Sequence, residues 1–294
     1  MRRLRPGAGF AVRRGLWRRA LAAACESRRR PLAWGPLRTT WLTTAQGRLC
    51  VRVAGGAPGS GVAVVLVHGV IVSSRYLLPM AAELAADRGV LVPDLPGFGL
   101  SDPPPGPLTL ATLADAVVAC ATAAGHDRVA LVGNSFGAQV SVEAAVRHPA
   151  RVARLVLIGP TTDPAARTLP RQYLRWQRNA PDEHLAILPV MLRDLADMGL
   201  RRAATLLRVM LDDPIEDKLA HVQAPTLVVR GDRDRLVPPR WADEVVGRLP
   251  QGQLATVPGY AHMPHWSGPL ALAPVLRAFL RADGLPAGTQ VQAL

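Results

Sequence analysis

Five residues, Gly133-Asn134-Ser135-Phe136-Gly137, constrain this chain more than any other stretch. They form the pattern G-x-S-x-G. Residues 128–132 before them make a short apolar, β-branched run of strand length. After them, small and apolar residues recur at helical spacing to about His148, and Pro149 closes the segment. A strand, a sharp turn and a helix in that order force the serine onto a strained corner. Both glycines are needed there, because a Cβ at Gly133 or Gly137 would collide with the strand or the helix. The corner leaves a hydroxyl at the carboxyl end of a sheet and above a helix N-terminus, whose free N–H groups favour developing negative charge. A glycine-rich βα loop with an incidental serine is the alternative, and the rest of the chain argues against it.

Residues 41–44 and 48–53 flank Ala45-Gln46-Gly47 and predict an antiparallel hairpin. Residues 62–67 are apolar throughout, the pattern of a central parallel strand. Ser73 or Ser74 caps a helix over 76–87, with Leu77, Met80, Ala81 and Leu84 on one face. A strand over 90–93, a helix from Thr109 to about Ala124, the elbow, and a strand over 152–158 follow. Residues 161–222 then show no strand-like run; helical patterns over 174–178, 185–200 and 202–211 are separated by Pro181 and Pro214. Alternation returns over 225–231, 241–249, 254–257 and 270–282. This rhythm predicts an α/β fold, a mostly parallel sheet with helices on both faces, interrupted by a helical insertion that is a candidate lid. The chain divides into an N-terminal arm (1–36), a first core part (37–160), the lid (161–222), a second core part (223–282) and a tail (283–294) expected to fray.

The formal charge of +13 would suggest a polyanion partner if it were spread evenly. Residues 1–40 hold eleven arginines and one acid, Glu26, a net of +10, which leaves 13 − 10 = +3 for the rest. The basicity therefore belongs to the arm, and no specific nucleic-acid binding is expected of the domain. Arg18 and Arg19 interrupt the arm's apolar stretch, so it fails as a secretory signal. It reads first as a disordered extension, with weak contact to an anionic membrane as the alternative. No apolar run reaches the length of about 18 residues that spans a bilayer. Cys25, Cys50 and Cys120 are too scattered for a zinc site or a disulfide framework, and they fit a reducing, cytoplasmic setting.

A serine hydroxyl becomes a nucleophile only when a base takes its proton and a third group orients that base. Gly231-Asp-Arg-Asp234 places acids just past a strand end, and Gly259-Tyr-Ala-His262 follows the last core strand. His126, His148, His184 and His221 sit at helix ends or in the insertion; His265 is the one competitor to His262. Arg171, Arg175 and Arg178 share a helical spacing and read as a solvated stripe.

These residues resemble the α/β-hydrolase superfamily, in particular its lidded, esterase-like members. The matches are His68-Gly69, Asp94-Leu-Pro-Gly97-Phe-Gly99-Leu-Ser101-Asp102, the elbow, Gly231-x-x-Asp234-x-x-Val-Pro238 and Gly259-x-Ala-His262, in the family's order across residues 40–282. The resemblance implies an eight-stranded sheet, Ser135 as nucleophile, His262 as base and Asp234 as acid, with Asp232 and Asp163 as alternatives for the acid. It implies an oxyanion hole from the backbone N–H groups of Phe136 and Val70. His68, Gly69, Met191 and Trp266 are candidates for substrate contact. Val70-Ile71-Val72 departs from the glycines or proline that many relatives carry, and Trp266 stands near the place where relatives often have an acid. The implied activity is hydrolysis of a carboxylic ester, thioester or lactone with a small hydrophobic acyl group. Two alternatives remain: carbon–carbon hydrolysis of the meta-cleavage type, which shares Asn134, and a catalytically silent binding protein. No phosphate loop, dinucleotide fingerprint or metal-ligand cluster occurs in the sequence, so no cofactor and no metal are expected.

Overall fold

The computed structural model describes residues 37–55, 62–281 and 291–292. The arm, and the membrane contact expected of it, lie outside the described residues. The chain enters the sheet at an edge, where β1 (Arg38–Thr44) turns back into β2 (Gly47–Ala54) in antiparallel register, Trp41 opposite Cys50. Gly47 makes that turn with φ of 112°, a conformation open to glycine and strained for other residues. β2 pairs antiparallel with the fourth strand as well, whereas β3 (Ala63–Val67) and the strands after it pair parallel with one another. β4 (Val90–Pro93), β5 (Val129–Asn134), β6 (Val152–Ile158), β7 (Thr226–Gly231) and β8 (Gly252–Val257) complete the eight strands. Within the tail, Val291–Gln292 add a two-residue β9 beside β8, so the order is β1-β2-β4-β3-β5-β6-β7-β8-β9.

The apolar runs require cover on both faces, and alternate residues receive it separately. Val65 and Val67 join a core with α2 (Leu110–Ala123), α3 (Phe136–Arg147) and α8 (Pro239–Arg248). Val64 and Leu66 join the other, with α1 (Leu78–Leu84) and α9 (Pro269–Leu280). The helix expected over 76–87 is shorter. Ser74–Leu77 form a 3-10 turn, and the α-helix starts one residue before Pro79, whose missing N–H is harmless in a first turn.

Between β6 and β7 stand α4 (Leu169–Asn179), α5 (Leu188–Met198), α6 (Leu200–Asp212) and α7 (Ile215–Lys218). The break expected between 200 and 202 falls at Gly199, whose φ is 80°, so the helix expected over 185–200 runs over 188–198. Side chains tie this insertion to the core, among them Arg75 to Asp194 and Asp197, Gln139 to the carbonyl of Met210 and to Asp213, and Arg202 to the carbonyl of Gly97.

Candidate active site

Ser135 lies at the end of β5 and directly before α3, with φ of 57° and ψ of −120°. This is a strained conformation for a residue with a side chain. The surroundings hold it there: its N–H donates to the Ile158 carbonyl at 2.9 Å, and its own carbonyl accepts from Ala138 at 2.9 Å. Neither flanking glycine can carry a side chain. A Cβ on Gly133 would run into the Gly137 carbonyl, and one on Gly137 into the carbonyls of Val67 and His68.

Asp234 stands in the turn after β7, almost fully buried. Its Oδ1 accepts from the N–H groups of Leu236 at 2.8 Å and Val237 at 3.0 Å, which leaves Oδ2 to meet Nδ1 of His262 at 2.8 Å. The other candidate acids are engaged elsewhere. Asp232 accepts the Gly259 N–H at 2.8 Å; Asp163 pairs with Arg175 and Arg240. Burial alone would push the His262 imidazole down, but the charge and hydrogen bond of Asp234, with Glu183 adding, carry its pKa above the ordinary value. His265 differs. It is fully buried edge-on to Tyr76, neither ring nitrogen has a hydrogen-bond partner, and burial drives its pKa to about 3. It stays neutral and has no orienting acid.

Phe136 opens α3, where a backbone N–H has no helical acceptor. Val70 follows the His68-Gly69 turn beside Ile71, whose φ is 62°. Among the described residues Ser135 and Ile71 are the two non-glycines with positive φ, one at the elbow and one in the facing loop. Gly69 closes against the elbow, since a Cβ there would lie 3.4 Å from that of Ser135. His68 requires a correction. It is fully buried, with Nδ1 on the Gly69 carbonyl at 2.9 Å and Nε2 accepting the Leu95 N–H at 3.0 Å. Burial lowers its pKa to about 4, so it is a neutral strut of the loop and not a substrate contact.

Three contributors escaped the sequence reading. Tyr76 accepts the Gly69 N–H at 2.7 Å and donates to Asn134 Oδ1 at 2.9 Å. The Asn134 amide then donates to the carbonyls of Ile158 at 3.0 Å and His262 at 3.3 Å. One buried network thus joins the Gly69 loop, the elbow and the His262 loop. Gly159 leaves the space for the imidazole, as a Cβ there would stand 2.8 Å from both Nδ1 and Cε1 of His262. Its position directly after a buried strand was the available signal. Glu183, from the insertion, accepts the His262 N–H at 2.7 Å and the Asn179 amide at 2.8 Å, and burial lifts its carboxyl above the usual glutamate value. Nothing local in the sequence marks it.

Met191 and Trp266, both half-buried, pack at the margin of the apolar cluster that holds Val72, Ile187, Val190 and Met263. A groove of about 480 Å³ lies elsewhere, between Pro103–Leu108 and Met198–Thr205, and contains none of the Ser135, Asp234 and His262 side chains. Among the described residues no three His, Cys, Asp or Glu side chains are grouped to hold a metal ion, and no helix is long and apolar enough to cross a membrane.

A model of the alpha/beta hydrolase family matches residues 64–275. A 2-hydroxy-6-oxononadienedioate/2-hydroxy-6-oxononatrienedioate hydrolase from Pseudomonas putida is 30% identical over 220 residues, 66% of this chain and 76% of its own. Pyrrolizixenacetamide deacetylase from Xenorhabdus hominickii is 28% identical over 254 residues, 78% of this chain and 94% of that one. A thermophilic esterase from Thermogutta terrifontis superposes with a TM-score of 0.70 at 25% identity, covering 84% of this chain and all of that one (100%).

Proposed function

The chain belongs to the alpha/beta hydrolase family, and from that premise we propose that it cleaves a carboxylic ester or related acyl bond through an acyl-enzyme on Ser135. The observation that carries this reading is the 2.8 Å contact of His262 Nδ1 with an Asp234 whose other oxygen is fixed by two backbone N–H groups. With Nδ1 committed as donor, Nε2 is the basic nitrogen. It takes the Ser135 proton as Oγ attacks the acyl carbon, and Asp234 stabilises the imidazolium that forms. The N–H groups of Phe136 and Val70 stabilise the oxyanion. Collapse of the tetrahedral intermediate expels the alcohol with the proton from His262. Water, activated by the same base, then releases the acid. The apolar cluster bordered by Met191 and Trp266 suits a small hydrophobic acyl group, and the insertion, serving as a lid, would cover it.

Carbon–carbon hydrolysis is the competing reading, supported by the Pseudomonas relative and by Asn134 at the elbow. Two observations favour the ester. The Asn134 carboxamide is spent on Tyr76, Ile158 and His262, which leaves it no hydrogen bond for a dienoate oxygen. The loop over the nucleophile carries the β-branched Val70, Ile71 and Val72 where that reaction needs backbone room. We expect wild type to turn over p-nitrophenyl esters and to label with a fluorophosphonate probe. Ser135→Ala should lose the label and about four to six orders of magnitude of turnover. Ser135-dependent bleaching of a 2-hydroxy-6-oxo-dienoate, with esters untouched, would instead make the enzyme a carbon–carbon hydrolase. Absence of both turnover and labelling in folded protein would leave the binding-protein reading.

A further inference from the structure

The helix α4 buries less than α5 and α6, and its exposed surface carries large apolar side chains. Asn179 is its single buried residue. Leu169, Tyr173, Leu174 and Trp176 are exposed at 56%, 64%, 50% and 36%, and Leu185 follows at 58%. Five of the ten exposed large hydrophobics among the described residues thus fall within 169–185.

At about 100° per residue, Leu169, Tyr173 and Trp176 form one stripe at spacings of i, i+4 and i+7. Beyond the exposed Gln177, Pro170 and Leu174 extend the arc toward a second border, where Arg171 and Arg178 stand. The inner side is fixed to the core. Arg175 pairs with Asp163 and donates to the Leu236 carbonyl at 3.1 Å, and Asn179 accepts the Arg235 N–H at 3.0 Å. Leu236 in turn holds Asp234, so the outer arc belongs to an element seated directly on the acid loop.

Charge identifies the occupant. The eleven residues of α4 include three arginines and no acid. Arg175 is neutralised by Asp163, while Arg171 meets a carbonyl, that of Ala165, and neither it nor Arg178 has an ion pair among the described residues. Nearby acids are already matched, Asp182 by Arg235 and Glu216 by Arg167. An apolar arc with Tyr and Trp, bordered by long uncompensated cations, has the chemistry of a helix that lies in an anionic lipid interface: the rings take the headgroup level and the arginines extend to phosphate. We infer that the outer face of α4 docks onto anionic phospholipid surfaces.

The test uses the full-length protein and vesicle co-sedimentation, with vesicles of phosphatidylcholine alone and of phosphatidylcholine mixed with phosphatidylglycerol. Wild type should bind the anionic vesicles and be released by salt. Leu169→Ser/Tyr173→Ser/Trp176→Ser should weaken binding at least about tenfold, and Arg171→Gln/Arg178→Gln by up to about thirtyfold. Melting temperature and near-UV circular dichroism should match wild type in both. Full binding by both variants would assign the contact to the arm or another face and overturn the inference. So would absence of binding in wild type. A wild-type dimer that the triple substitution dissociates, without vesicle binding, would assign the face to a second copy instead.

Discussion

His262 carries a proton whose affinity the rest of the site sets. Its pKa is raised because the Asp234 charge, and secondarily Glu183, outweigh the burial that opposes them. A base must be neutral to act, so the acid limb of kcat/KM should lie above the ordinary histidine value of about 6.5. Stability runs the other way: a raised folded-state pKa gives a contribution that is complete below the unfolded value and is lost as pH rises through the folded one. The pH that unlocks catalysis is therefore the pH at which this ion pair stops stabilising the fold. Asp234→Asn should lower turnover by about 10⁴ and move the limb down. Glu183→Gln should also move it down, by less, because its carboxylate acts through space and through the His262 N–H. A pH–rate profile on a soluble ester decides this. Identical limbs in wild type and both variants would remove Asp234 and Glu183 from any control over the base.

At the scale of the elements, α5 is tied to the core through Arg75. Arg75, from the 3-10 turn after β3, is buried between Asp194 and Asp197, and Asp194 also accepts the Ser73 N–H at 2.7 Å. Removing the cation strands a carboxylate that is 1% exposed, so Arg75→Met should cost about 3–5 kcal/mol in urea melts. Arg75→Met/Asp194→Leu should recover most of that loss, because the stranded charge goes with its partner. A double variant as unstable as the single one would show that packing, not charge, holds α5. No local pattern announces this pair, since the two residues are 119 positions apart. The sequence is legible where a structure is local. The strand Val152–Ile158 follows from its own apolar run, and the order of serine, acid and histidine follows from loops that leave strand ends. It fails where tertiary contact decides. His68 is a candidate substrate contact by its place after a strand, yet both its nitrogens meet backbone, and Tyr76 reaches Asn134 across 58 residues.

At the scale of the whole molecule, the site is assembled on ground of unequal stability. Ser135 and the His68–Val72 loop rise from β5 and β3, central strands buried along their whole length. The insertion grades outward from that core. The helix α6 buries Ala203, Leu206, Met210 and Leu211, and α5 buries Val190, Asp194 and Met198; α4 buries Asn179 alone. Amide exchange follows local burial and cooperative unit, not distance from the chemistry. Amides of α4 should therefore exchange first, those of α5 and α6 later, and those of β3 and β5 only with global unfolding. Because Asn179 and Glu183 join α4 and the turn after it to the base loop, early opening there should loosen the hold on His262 while leaving Ser135 in place. Hydrogen–deuterium exchange with peptide-level readout measures the order directly. The graded picture requires α4 peptides to deuterate well ahead of α6. Simultaneous exchange of α4, α6 and β5 would mean that the insertion and the sheet open as one unit, and that no part of the cover moves independently of the nucleophile.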